Sequence, residues 1–580
     1  MKNKIFPYYQ AVPEIFIYQA VSKFVLGVLL GLLHAMAMWA LKSTGRVAIS
    51  SGDYKFIFGT WQGAVLIMLG ICTVFVYVAL DLNMKIILSS KLLNKEQIFI
   101  RQILKESFFS LKKMLSINGI GVVLYVTLLA PILGVGVSVS LTKGLYIPTF
   151  ISSVINATPL YNILYSVFAL VFTFIGLANI FVLHSVALDH LSVKEAQAQS
   201  KGLMKKHWKN YLKENFLYSL TIMLGIGIIV AFVLVVLFAM KQVMILNASI
   251  GRFTTLLACI VLSIAISFLG LMITPFYLMK MTQLYYSYKE QKKEFYEVRK
   301  RRKHPFIKAA VLVVLVISIL SAALVTRYFD EVFSDKGNVE IIAHRGGGIE
   351  GAENTVAGLL RAYELGAKGS EIDIQRTLDG AYVVNHDTNF QRTANVNKTP
   401  GEMTLEEVKE LSVDGEPVAT LEEMLSASKD RLILFVELKG SSADRQMAED
   451  AIMLIKEYGM ESQAVVISLK YDLIDYIETT YPEMLTGYLT FVSFGDTAGL
   501  NCDYLGLEEE SATSDAIDAI HQQGKKAIVW TANERGSQKH FLLSQADYLI
   551  TDNVEQAMEV MQEIKERDDF TKIIDTVLSE

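Results

Sequence analysis

Seven runs of roughly twenty or more predominantly apolar residues fall near 20–41, 61–82, 117–141, 162–188, 216–240, 255–279 and 307–326. Each is long enough for an α-helix to cross the ~30 Å hydrocarbon core of a bilayer. Lipid cannot hydrogen-bond backbone groups, so such runs must fold as helices. Asp81, Asp189 and Lys280 lie at or just past run ends, where charge avoids the bilayer centre. The first run has no A-x-A-like cleavage site and exceeds a signal peptide's apolar stretch, so it reads as retained. Composition agrees: the chain is 52% hydrophobic and only 19% charged, with mean hydropathy +0.37. A purely soluble or a disordered chain is thereby excluded. Cys72, Cys259 and Cys502 are too few and too scattered for a disulfide framework or a cysteine-rich metal site.

Lys and Arg in the short loops set the orientation. The segment after the second run carries Lys85, Lys91, Lys95, Arg101, Lys105, Lys112 and Lys113, and that after the fourth carries Lys194, Lys201, Lys205, Lys206, Lys209 and Lys213. The segment after the sixth ends in Arg299-Lys300-Arg301-Arg302-Lys303, while the alternate loops hold few basic residues. The N-terminus is therefore expected in the cytoplasm, and seven crossings put everything past Val325 outside it. Topology, not nucleic-acid binding, accounts for these basic loops. His34, Asn179 and His184 are the notable polar side chains within runs, read as interhelical hydrogen-bonding groups.

The second half is chemically different. Residues 1–326 hold 32 Lys+Arg against 11 Asp+Glu, whereas the remainder holds 22 against 48. After a short polar linker over 327–338, β-rich apolar stretches alternate with helical patterns, the signature of βα units and a parallel sheet. Strands are predicted over Val339–His344, Gly369–Ile374, Leu432–Leu438, Ala464–Leu469, Leu485–Thr490, Tyr504–Glu508, Ala527–Thr531 and Tyr548–Thr551. Eight strands in about 240 residues suit a TIM barrel, whose chemistry sits at the C-terminal strand ends. The expected organisation is thus an all-α polytopic membrane domain of about seven transmembrane helices (1–326), the linker, and an α/β TIM barrel (339–580).

Those strand ends carry His344-Arg345-Gly346, Glu371-Ile-Asp373, Glu437-Leu-Lys439, Trp530-Thr531 and Thr551-Asp552. Alternation puts Glu371 and Asp373 on one strand face, and Glu437 with Lys439 on another. If both faces point inward, three carboxylates converge, which only a cation or protonation can reconcile. An all-oxygen set selects Mg²⁺ or Ca²⁺ over zinc. Asp379-Gly380 predicts a two-residue type I′ hairpin turn, a register that sets Asp373 opposite His386.

This constellation, with Glu353-Asn354-Thr355 and His386-Asp387, resembles the glycerophosphodiester phosphodiesterase family over about 339–565, and the first half resembles the membrane region fused to some bacterial members. The sequence departs from the family pattern at Ala352, where Pro is common, and at Asn553-Val554 after Thr551-Asp552. The resemblance implies His344 and His386 as the acid/base pair, and Glu371, Asp373 and Glu437 as ligands of a divalent cation. It implies Arg345 and Lys439 on the phosphodiester oxygens, and Trp530 as an apolar wall for substrate. Asn354 reads as a helix N-cap, and Glu353 as a residue near the metal. The implied reaction is metal-assisted hydrolysis of a glycerophosphodiester to sn-glycerol 3-phosphate and an alcohol, through attack of the neighbouring glycerol hydroxyl and a cyclic phosphate. The protein is expected in the cell membrane as a multi-pass enzyme with an extracellular catalytic domain. Its substrate would be a soluble diester or an envelope glycerol-phosphate polymer. The alternatives are action on intact lipids or lysolipids presented by the membrane domain, or a non-catalytic phosphate-ester receptor or transporter.

Overall fold

The computed structural model describes residues 2–46, 48–50, 54–94, 96, 98–125, 155, 158–290, 305–334, 338–491 and 493–579. The chain forms two compact units. One comprises Met1–Ala37 with Ala64–Phe329, the other Met38–Gly63 with Asp330–Glu580.

Among the described residues six helices are long and apolar enough to cross a bilayer: Val12–Ser43, Trp61–Leu93, Pro159–Leu188, Val193–Leu246, Ala248–Tyr288 and Lys308–Arg327. They coincide with six of the seven apolar runs; most of the run at 117–141 lies outside the described residues. The helix Val193–Leu246 opens on a reciprocal capping box between Ser192 and Glu195. At 1.5 Å per residue its 54 residues extend far beyond ~30 Å, so its basic first turns continue past the apolar stretch. Helix formation also extends through what the sequence presents as a basic loop. Lys85 and Lys91 sit within the Trp61–Leu93 helix and are buried. Lys85 pairs with Asp81 at 2.5 Å, and Lys91 with Glu96 and Glu106 at 3.3 and 3.1 Å. The Arg299–Lys303 cluster lies outside the described residues.

The second unit holds a closed barrel. After β1 (Ala48–Ser50), the strands are β2 (Glu340–Ala343), β3 (Gly369–Arg376), β4 (Tyr382–Val384), β5 (Ser412–Val413) and β6 (Glu416–Pro417). They continue as β7 (Ile433–Leu438), β8 (Ala464–Ser468), β9 (Leu485–Thr490), β10 (Ser493–Gly495), β11 (Tyr504–Glu508), β12 (Lys526–Trp530) and β13 (Tyr548–Thr551). Eight of these pair in parallel in the order β2-β13-β12-β11-β9-β8-β7-β3, and β3 returns to β2 to close the ring. All eight predicted strands are present, β9, β11 and β13 with the predicted bounds and the other five with one or both ends displaced by one or two residues. Strand alternation sends Ile342, Phe435, Val465, Ile467, Leu489, Tyr504, Ile528, Tyr548 and Ile550 into the barrel interior. The opposite faces pack against the surrounding helices in a larger apolar layer.

The hairpin at β3 and β4 differs from expectation. Its register pairs Ile374 with Val384, Gln375 with Val383 and Arg376 with Tyr382, so Asp373 lies opposite Asn385, whose N–H donates to the Asp373 carbonyl at 2.9 Å. The turn uses three residues, Leu378 to Gly380, closed by Gly380 N–H donating to Thr377 O at 3.2 Å. Gly380 alone takes a positive φ, +92°. A type I′ turn needs positive φ at both central positions, whereas a type I turn followed by one left-handed glycine adds a residue and slips the register by one.

Candidate active site

The C-terminal strand ends carry the candidate groups. β3 and β7 run in parallel with Asp373 beside Glu437, and alternation brings Glu371 to the same face. All three carboxylates are buried, and one oxygen from each lies within 4.8 Å of the others. Lys439, two residues beyond Glu437, reaches back to Asp373 at 2.8 Å and Glu437 at 2.9 Å. Three acids thus share one ammonium.

The consequence appears in their proton affinities. Burial and the Asp373 charge push the Glu371 carboxyl up to about 8. Burial likewise raises Glu437. Asp373 is held below the carboxylate range despite its burial, chiefly by Lys439. These proton affinities belong to the three acids together and not to any one carboxyl.

Two histidines flank the acids. His344 follows β2, and its Nδ1 lies 2.6 Å from Asp552 Oδ1, just past β13. Its Nε2 is 3.9 Å from Glu371 Oε2. Burial works against the imidazolium, but the hydrogen bond to Asp552 together with the charges of Asp552 and Glu371 outweighs it and raises the His344 pKa. Asp552 is pulled down to about 2, against its own burial, by the same bond together with the charges of His344 and Arg345 and the hydrogen bond from Asn533. Asn533 fixes Asp552 through its amide, Nδ2 donating at 2.5 Å. His386 Nδ1 lies 2.9 Å from Asp387 Oδ1. The register slip does not carry His386 away: Gln375 Nε2 donates to the carbonyls of Asn385 and Asp387 at 2.6 and 2.7 Å, curling the chain over the end of β3. The charge of His386 is felt at Asp373, Glu437 and Glu353.

The turn after His344 requires unusual backbone. Arg345 and Asn354 both take left-handed conformations, at φ +50° and +56°, and Asn354 N–H donates to Arg345 O at 2.7 Å. Gly346, at φ +85°, takes a conformation that L side chains rarely adopt, and a Cβ there would sit tightly, 3.2 Å from the Asn354 nitrogen. This loop aims the Arg345 N–H at Glu371 Oε2, 2.9 Å away. It also turns the Asn354 amide inward, Nδ2 donating to Asp373 Oδ2 at 3.0 Å. Asn354 is therefore not the N-cap read from sequence; Thr355 caps the helix Val356–Glu364, its hydroxyl accepting from Gly358 N. Glu353 lies apart from the three clustered acids, bound by Arg345 at 3.2 Å and Arg392 at 2.6 Å. Trp530 ends β12, its Cα partner in β11 being Glu508.

Sequence reasoning brought out Glu371, Asp373, Glu437, Lys439, His344, Arg345, His386 and Trp530, and the strand ends bring the first seven around one locus. It gave no role to Asp552 or Asp387 behind the histidines, nor to Arg392, which joins Glu353 to Asp387. Asp552 ends a strand in the motif and Asp387 adjoins His386, so adjacency was the available signal; Arg392 carried none.

An acidic cluster of this kind accepts a divalent cation if its charge and free lone pairs allow. Both conditions are met. With all three acids ionised, one ammonium leaves two negative charges uncompensated, and Glu371 Oε1 is buried without a hydrogen-bond partner among the described residues. A hard cation would compete with protons for these carboxylates.

Comparisons with known proteins agree with this reading of the two halves. Residues 1–323 match the membrane domain of glycerophosphoryl diester phosphodiesterase, and residues 344–556 match the glycerophosphoryl diester phosphodiesterase family. A glycerophosphodiester phosphodiesterase of Caldanaerobacter subterraneus is 29% identical over 229 residues, 37% of this chain and 94% of the relative. One of Bacillus altitudinis is 24% identical over 243 residues, 39% of this chain and 99% of the relative. A crystal structure of a glycerophosphodiester phosphodiesterase from Parabacteroides distasonis aligns with TM-score 0.36 and 24% identity, covering 40% of this chain and all of that one. The chain belongs to the glycerophosphoryl diester phosphodiesterase family, in the form that carries the family's membrane domain.

Proposed function

We propose that the protein is a multi-pass membrane enzyme that hydrolyses glycerophosphodiesters to sn-glycerol 3-phosphate and an alcohol, with its barrel outside the cytoplasm. The observation that carries this reading is the buried acid trio with an unmatched oxygen, set between two histidines that are each backed by a carboxylate. In this reading Glu371, Asp373 and Glu437 hold Mg²⁺ or Ca²⁺. Such a cation, when bound, supplies positive charge against the charge that develops on the phosphoryl oxygens.

The chain's own residues do the rest. Asp552 and Asp387 can only accept hydrogen bonds, so each fixes the Nδ1–H tautomer of its histidine and leaves Nε2 to exchange protons with substrate. One imidazole takes the proton from the attacking glycerol hydroxyl, and the other gives one to the departing alcohol oxygen. Water then opens the cyclic phosphate with the roles reversed. Arg345 and Lys439 grip the phosphodiester oxygens. A buried Arg345 Nε without a hydrogen-bond partner supports this assignment, because an anionic ligand would complete it. Trp530 lies against the organic part of the substrate. The positive-inside pattern of the Lys- and Arg-rich segments supports the outward orientation.

Purified full-length protein should release glycerol 3-phosphate from glycerophosphocholine or a similar diester. That activity should disappear with chelator and return with Mg²⁺ or Ca²⁺, and His386→Ala should abolish it. Full activity after both treatments would overturn the assignments.

A further inference from the structure

Residues 38–63 join the first two apolar helices in sequence, yet they pack as part of the same compact unit as the barrel. Within it, β1 pairs antiparallel with β10, matching Ala48 to Gly495, Ile49 to Phe494 and Ser50 to Ser493. β10 begins three residues past the last residue of β9, in the connection that leaves the end of the barrel where the acids and histidines lie. That connection is firmly held. Lys525 Nζ donates to Ala498 O at 2.7 Å, and Asn501 N–H donates to the Tyr471 hydroxyl at 2.9 Å. Ala498 and Leu500 are buried in the barrel's outer apolar layer, and Ala48 joins that same layer.

The rest of the segment has a second character. Trp39 and Trp61 meet edge to face at 6.5 Å while remaining 59% and 62% exposed, and Phe58 is 79% exposed. These rings stand where two apolar helices end and begin. Large exposed aromatics at such positions settle at the headgroup level of a bilayer. One short segment therefore binds the site end of the barrel with a strand and marks the membrane surface with aromatic rings.

We infer that residues 38–63 form a membrane-facing rim of the catalytic unit, and that its substrate is a diester anchored in the bilayer surface. This rests on the diesterase reading above. Pairing of β1 with β10 requires an even number of crossings between residue 63 and the barrel, which the seven-run reading meets. The reaction adds water across one P–O bond, the hydroxyl to phosphorus and the proton to the departing alkoxide oxygen. The rim contributes local concentration: a site tethered at the surface meets a surface-bound substrate far more often than a dissolved one.

The test uses full-length protein in phosphatidylcholine vesicles, with two substrates sharing one headgroup: lysophosphatidylglycerol in the bilayer and glycerophosphoglycerol in solution. Ile49→Pro, which removes a strand N–H, should lower kcat/KM for the lysolipid about tenfold and leave the soluble diester within about twofold. Independently, the double variant Ser50→Cys with Ser493→Cys should yield a disulfide-linked peptide pair after oxidation and digestion. Equal loss on both substrates, no loss on either, or no linked peptide overturns the inference. Wild-type protein that cleaves neither diester while still forming the link in the double variant overturns the diesterase reading, and the substrate assignment with it.

Discussion

Both halves of the chain bury charge, and they balance it differently. In the membrane unit buried Asp81 pairs with Lys85 and half-buried Asp189 with Lys289, both at 2.5 Å, and half-buried Glu214 with Lys280 at 2.6 Å, one cation to each acid. Hydroxyls complete the first two, Ser22 Oγ donating to Asp81 at 2.6 Å and Tyr285 OH to Asp189 at 2.5 Å. In the barrel three acids share Lys439. Matched charge closes on itself and serves packing, whereas unmatched charge leaves lone pairs and field for something not covalently part of the chain. The contrast separates structural from functional ionic groups where burial alone does not.

The sharpest way to break this contrast is to neutralise one acid on each side. Glu371→Gln should lower activity by about a hundredfold or more, the upper range for disturbing a metal shell. In chelator its melting temperature should stay level or rise, because one repelling carboxyl has gone. Asp81→Asn should do the opposite. It strands Lys85 in a buried site, at a cost of about 3–5 kcal/mol, with activity per folded molecule retained. Activity assays and thermal unfolding of both variants in detergent decide it. Stability loss in Glu371→Gln, or activity loss without instability in Asp81→Asn, would dissolve the distinction.

A second expectation concerns the cation itself. Saturating Mg²⁺ or Ca²⁺, at about a hundred times its dissociation constant, should stabilise the catalytic unit by about 2.7 kcal/mol. The same titration on Glu371→Gln should give little shift. Differential scanning fluorimetry reads this without any substrate, so it tests the acid trio apart from the chemistry.

Some of this was legible before any coordinates. Period-two alternation and strand-end motifs located eight strands and the seven clustered groups, because a closed parallel barrel projects inward residues at one end whatever the loops do. The hairpin register was not legible, since Asp379-Gly380 is compatible with two turn types that differ by one residue. Asn354 was misread because Asn is a good N-cap by propensity, whereas here Thr355 caps and the left-handed Asn354 turns inward. Lys85 was misread because a positive-inside count treats every lysine near a span end as solvated. Arg392 was invisible: its contacts to Glu353 and Asp387 cross the fold, and no local pattern announces them.

A third acidic site sharpens the comparison with a smaller effect. Glu510 N–H donates to Glu508 Oε2 at 3.1 Å, just past the end of β11. Burial, then the hydrogen bond to and repulsion from Glu508, pushes the Glu510 carboxyl up to about 8. The folded state thus keeps a proton that the unfolded chain releases near 4.5. The stability tied to that proton is intact at lower pH and is lost as pH rises from about 4.5 to about 8. Glu510→Gln removes this dependence, so its melting temperature should fall less across that window than the wild type's. Parallel pH curves for the two proteins would show that the pair does not share a proton.

The smallest effect is expected where charge is matched and solvated. Lys206 and Glu290 pair at 3.2 Å with side chains 65% and 80% exposed. Water and salt already screen both groups, and holding two long side chains together costs rotamer entropy. Lys206→Ala should therefore change stability by less than about 0.5 kcal/mol, and raising the ionic strength should erase even that. Thermal unfolding at low and high salt measures it. Should Lys206→Ala cost as much as breaking the buried Asp81–Lys85 pair, burial would not set the worth of ion pairs in this chain. An excess of buried carboxylates would then no longer mark the barrel's strand ends as a place built for a cation.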